Sequence, residues 1–316
     1  MFETVREACA RVAAVADHVR LVGDITLYAD RFDPRSVSVP SYDERHHFRG
    51  DAEATVAYLL MLDTVNFGSG YFPRLIKRKG MSGYFTVASR LKDVFEARGA
   101  PSAQELSELS PEQVTSLLGQ DLEDPVRAEL MSLYAGALNE LGSLLVEKYQ
   151  GRYAALLEEA DHSAGRLVAG LSRLKDFRDI AYYRGFEVPF YKRAQITVSD
   201  LALAFGGRGY GFFEDLDQLT MFADNLVPHV LRTDGLLVYG PELATKLARG
   251  ELVAPGSPEE VEIRAVALHA VEELVRELRG RGLEVSARQI DIALWNRGQE
   301  PRYKRLPRHR TRTVFY

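Results

Sequence analysis

Apolar positions in this chain recur mostly at three- and four-residue intervals, the spacing that lines one face of an α-helix. Val5, Ala8, Val12, Val15 and Val19 mark the face of a first helix, and a second spans residues 52–62 after the polar entry Arg49-Gly50-Asp51. The same spacing predicts helices over residues 85–98, 111–118, 125–149 and 163–174. The clearest covers residues 258–278. There Ser257, Pro258 and Glu260 read as a capping box with proline at the first helical position, and Ala265, Leu268, Val271, Val275 and Leu278 form the buried stripe. Strand signals are few and short: residues 71–76 before Lys79-Gly80, residues 182–188 around Gly185, and residues 311–316. Neither a series of βαβ units nor a repeat at solenoid periods is visible. The expected fold is mainly α-helical with small β-hairpins.

A chain of 316 residues, 46% hydrophobic and 27% charged, can bury a large core, and no Pro/Gly/Ser-rich linker divides it. Residues 1–316 are expected to form one folded body. Its apolar runs fall short of the roughly 18 residues that suggest a membrane span. Glu3, Arg6, Glu7, Arg11, Asp17 and Arg20 break the apolar centre that a secretory signal would need. Cys9 is the one cysteine, so it forms no internal disulfide, suits a reducing cytoplasm and supplies no Cys-rich zinc site. The net charge of −5 opposes a broad electrostatic surface for DNA or RNA, which points to a small-molecule substrate, and no obligatory protein partner is evident.

One segment runs against that charge. Arg297, Arg302, Lys304, Arg305, Arg308, Arg310 and Arg312 face the single acid Glu300 in the basic stretch 297–312, which reads either as a solvated terminus or as a pocket for one phosphate. The phosphate-loop, nucleophile-elbow and zinc-hydrolase signatures are missing. Gly206-Gly207-Arg208-Gly209-Tyr210-Gly211 follows a helix, so it reads better as a helix-terminating loop than as a phosphate cradle. His46-His47 lacks an acidic partner nearby and reads as exposed polar surface. No metal and no cofactor are assigned.

Two constellations carry more. Asp63 falls in the last turn of an apolar helix, where the helix macrodipole disfavours an anion. Either a local salt bridge or cap compensates it, or it accepts from a ligand donor or cation beside the aromatic face of Phe67. Pro228 marks a helix start and puts Asp224 and Asn225 just before it. Asp224 is then either a simple cap or a carboxylate held rigidly and shielded from water.

The stretches Leu62-Asp63-Thr64-Val65-Asn66-Phe67, Phe190 to Ile196, Met221-Phe222-Ala223-Asp224 with Pro228, Val261-Glu262-Ile263-Arg264, and His309-Arg310-Thr311-Arg312 occur here in one order. From about Asp51 onward the chain resembles the queuosine salvage protein family, the queuosine 5′-phosphate N-glycosylase/hydrolases. The resemblance implies a helical glycosylase-like fold related to helix-hairpin-helix DNA glycosylases, although Pro189-Phe190-Tyr191 is bulkier than a DNA-binding hairpin. It also implies hydrolysis of the N-glycosidic bond of queuosine 5′-phosphate, releasing queuine for tRNA modification. Asp224 would be the catalytic carboxylate that stabilises positive charge on the sugar and orients water. Lys192 would assist, or be a surface lysine at a helix start. Asp63, Asn66 and Phe67 would hold the base, and His229, His309, Arg310 and Arg312 would complete the substrate site. A non-catalytic queuine or nucleotide binder and a DNA-lesion glycosylase are the alternatives.

Overall fold

A computed structural model describes residues 1–316. The first half is built of α1 (Phe2–Val15), β1 (Val19–Leu21), α2 (Ile25–Ala29), α3 (Ala52–Thr64), α4 (Gly83–Arg98), α5 (Ala103–Ser107), α6 (Pro111–Leu118) and α7 (Pro125–Tyr149). Then come α8 (Ala155–Ala160), α9 (Ala164–Leu171), β2 (Ile180–Tyr183), β3 (Phe186–Pro189), α10 (Lys192–Ala204), α11 (Val227–Thr233) and β4 (Leu237–Tyr239). The chain ends in α12 (Pro241–Ala248), α13 (Pro258–Gly280), α14 (Ala287–Arg297), α15 (Pro301–Lys304) and an irregular tail. Mainly α with small β-hairpins is the fold observed.

The apolar stripes converge on two cores. One gathers side chains of α3 to α10, and the other is built around α13 with α1, α11 and α14. Helix α3 shows why a sequence with little amphipathicity can still be a good helix. Thr55 to Thr64 are all buried, because α4, α7 and α10 surround it. Asp51 caps it by accepting from Ala54 N at 2.8 Å. In α13, Ser257 accepts from Glu260 N at 3.3 Å, as its sequence suggests. The reciprocal half of the capping box is replaced, since Glu260 turns to Gly256 N and to Arg264.

Several short elements differ from expectation. Val19 leaves the first helix to start β1, which pairs antiparallel with β4, Val19 opposite Tyr239 and Leu21 opposite Leu237, and Val15 is exposed. Residues 71–76 hold a single 3₁₀ turn at Phe72–Arg74, and residues 311–316 join no sheet. The hairpin around Gly185 is present as β2–β3. Gly206, Gly207 and Gly209 all take positive φ in the loop that ends α10, where L-side chains would be strained.

Candidate active site

Between the two cores lies a cavity of about 970 Å³. One face of α10 forms its wall, because Lys192, Ile196, Ser199, Asp200 and Leu203 fall at helical spacing on the same side. The turn before α11 and the inner face of α14 supply Phe222, Asp224, Asn225, Asp291 and Trp295. Asn66 and Phe67 enter just past the end of α3.

Asp224 is half-buried and caps the turn before α11. Its Oδ1 accepts from Leu226 N at 2.8 Å and Val227 N at 3.1 Å, closing the open end of α11. Its Oδ2 makes no hydrogen bond to protein, so a carboxylate oxygen is fixed at the cavity wall. Asp291, from α14, grips the same turn through Phe222 N at 2.9 Å. Burial, and then the charge of Asp224, push the Asp291 carboxyl far above its usual range, so Asp291 favours the protonated form.

Lys192 is buried at the first turn of α10, not at the surface, and its Nζ lies 3.4 Å from the Asn66 carbonyl. Burial lowers its pKa, while Asp224 and then Asp63 act to keep its charge. Asp63 is fully buried, and burial followed by the charge of Asp200 raises its carboxyl well above the carboxylate range. The adverse helix end is therefore met in two ways. Asp63 favours its neutral form, and Arg193 donates to the carbonyls of Asp63 and Thr64 in the last turn of α3. Asp63, expected to contact the ligand, is not among the residues that line the cavity and accepts from Asn66 Nδ2 at 3.2 Å, leaving the Asn66 carboxamide oxygen turned away from it. Phe67 packs edge-on against Tyr134, with Arg193 against its ring at 4.7 Å.

A buried ion pair joins the two halves of this arrangement. Arg264 donates from Nη1 to Asp179 Oδ1 at 3.0 Å and from Nη2 to Asp179 Oδ2, and from Nε to the Ala223 carbonyl at 2.9 Å, one residue before Asp224. Asp179 in turn accepts from Lys192 N at 3.2 Å, and its carbonyl accepts from Phe190 N at 2.8 Å. Tyr191, held between them at φ 50, takes a left-handed conformation that is costly for a non-glycine residue. One arginine therefore ties the turn bearing Asp224 to the helix start bearing Lys192.

The basic stretch divides. Arg297 and Arg302 pair with the buried Asp234, and Arg310 donates to the Gly250 carbonyl. Arg312 lies against the Tyr71 ring and 3.9 Å from Glu129. Arg310 and Arg312, expected to complete the substrate site, are not among the residues that line the cavity. His309 is likewise outside its lining. Burial and then Arg308 lower its pKa to about 3, so it carries no charge for a phosphate. His229 does line the cavity, is kept neutral by burial, and donates from Nε2 to the Tyr303 carbonyl at 2.8 Å. The cations that do line the cavity are Lys77, Lys304 and Arg308, with Arg45 at its far side and Lys192 within. Sequence spacing missed Asp200, Asp291 and Lys77, which lie on separate elements that only the packing of α10, α14 and the 70–80 segment brings together. His46 and His47 are half-buried rather than exposed, and His47 Nε2 lies 2.8 Å from Tyr84 Oη at the cavity edge.

The family profile described as queuosine salvage protein matches residues 46–316. The chain belongs to the queuosine salvage protein family. Relatives named queuosine 5′-phosphate N-glycosylase/hydrolase include one from Sphaerobacter thermophilus, 43% identical over 92% of this chain and 91% of the relative. One from Dictyostelium discoideum is 38% identical over 84% and 79%, and one from Mus musculus is 32% identical over 85% and 84%. The family match spans every cavity residue from His47 onward, including both carboxyl groups at the turn before α11.

Proposed function

We propose that this protein hydrolyses the N-glycosidic bond of queuosine 5′-phosphate, yielding queuine and ribose 5-phosphate. The observation that carries this reading is Asp224, a backbone-anchored carboxylate with one free oxygen in the cavity of a queuosine salvage family member. As the bond from the anomeric carbon to the base nitrogen breaks, positive charge grows on the ribose. A preorganised carboxylate stabilises that charge and orients the water whose oxygen bonds to the anomeric carbon. The base leaves with the bonding electron pair and must gain a proton. Asp291, which favours its protonated form, is suited to supply it, and the proton lost by water restores the balance.

Phe67 offers an aromatic surface for the flat base, and Asn66, oriented by Asp63, offers an amide oxygen to its donor edge. The 5′-phosphate is assigned to Lys77 and Arg308. Burial and then the charge of Arg308 disfavour the cation at Lys77, so an anion beside both relieves a repulsion already present. No helix is long and apolar enough to cross a membrane. We place the reaction in the cytoplasm, where a lone cysteine is suited to reducing conditions. Incubation with queuosine 5′-phosphate, followed by chromatographic detection of queuine and ribose 5-phosphate in equal amounts, tests the reading. Bound nucleotide with no free base would instead identify a binding protein.

A further inference from the structure

Lys77 and Arg308 mark one region of the cavity wall, whereas Asp200 stands on α10 near Tyr42 and Tyr84, each of whose hydroxyls feels its charge. Lys192 and Asp200 share a face of α10 eight residues apart, a rise of about 12 Å at 1.5 Å per residue. Asp200 therefore stands about two turns along the helix from Lys192, on the same wall. It is the one acid of α10 in the cavity, it accepts no hydrogen bond from protein, and neither Lys192 nor Arg288, the cations whose fields reach it, forms an ion pair with it. Behind it lies Asp63, whose Oδ2 is buried and has no partner.

We propose that Asp200 is the counter-charge for the secondary ammonium on the aminomethyl arm of the base, and so the residue by which this cavity distinguishes queuine from deazaguanines lacking that arm. The proposal rests on the substrate reading above. An arm that projects from the base away from the reacting bond needs an acceptor of its own, and Asp200 lines the same cavity two turns along α10 from Lys192, near Tyr42 and Tyr84. A carboxylate within hydrogen-bond reach of a desolvated ammonium makes a charge-assisted contact, stronger than one between neutral groups. Burial raises the Asp200 carboxyl to about 7, against the opposing pull of Lys192 and Arg288.

Calorimetric titration of the full chain with queuine and with 7-deazaguanine, which keeps the guanine edge but lacks the arm, tests this. Asp200→Asn should weaken queuine binding by about 10-fold or more and leave 7-deazaguanine within about 2-fold. Equal losses for both bases would assign Asp200 to the guanine edge, and unchanged queuine binding would remove it from the site; either overturns the proposal. Wild-type protein with queuine acetylated on the arm nitrogen gives a check that needs no variant. Binding as tight as that of queuine would also overturn it. Failure of wild-type protein to bind queuine at all would instead sink the substrate reading itself.

Discussion

Removing the guanidinium of Arg264 should destabilise the protein more than any other single change near the cavity. Arg264 and Asp179 are 1% and 2% exposed, so Arg264→Ala strands a carboxylate in the core. It also leaves the Ala223 carbonyl without its donor and empties the space against the Phe190 ring, 3.9 Å from the guanidinium carbon. Breaking a buried pair from one side costs about 3–5 kcal/mol, most of it the unpaired charge that remains. At about 2.1 cal/mol/K of unfolding entropy per residue, a 316-residue chain converts that loss into a fall in Tm of roughly 5–8 °C. Urea unfolding followed by circular dichroism should show a lower midpoint with an unchanged slope. The double variant Arg264→Ala/Asp179→Ala should recover part of the loss, because the Asp179 charge is then no longer stranded and only Glu260 has lost its arginine. A single-variant loss below about 1 kcal/mol, or a double variant that loses the sum of the two singles, would refute the reasoning.

Arg308→Ala should reduce the preference for queuosine 5′-phosphate over the nucleoside by about 10-fold, read as the ratio of kcat/KM values, whereas Arg310→Ala should leave that ratio unchanged. The opposite pattern would return the phosphate to the outer tail. Asp200→Asn should flatten the pH dependence of stability. A carboxyl raised in the folded state to about 7 binds a proton that the unfolded chain has released above about pH 4, so stability falls as pH rises from there to about 7. The variant should gain on the wild type at pH 8 and match it near pH 3.5 in urea titrations; an equal difference at both values would contradict the shift. Phe67→Leu, which keeps most of the core volume, should weaken queuine binding by about 1–3 kcal/mol through lost stacking, and unchanged calorimetry would remove Phe67 from the base site.

The long helices were legible because their apolar spacing and their caps agree, as at Ser110-Pro111 and Asp124-Pro125, where each polar residue caps the helix that its proline begins. The β1–β4 pairing was not, since it joins three-residue strands more than 200 positions apart and leaves no local period to read. Asp224 could be found from Pro228, a local signal. Asp291 and Asp200 could not: each reads as one more polar position on an amphipathic helix, and only the packing of α14 and α10 around the cavity separates them from solvated acids. The basic tail misled for the complementary reason. Its composition marks a cluster of charge, but Asp234, Gly250 and Glu129 decide which arginines are already held, and these partners are remote in sequence.

The central claim is that a fixed carboxylate at Asp224 drives cleavage of the nucleotide. Asp224→Asn keeps an oxygen to accept from Leu226 and Val227, so the turn survives while the charge is lost. Single-turnover release of queuine from queuosine 5′-phosphate, followed by chromatography, should be complete with the wild type and slower by about 100-fold or more with a folded Asp224→Asn variant. Release at the wild-type rate by that variant would contradict the account.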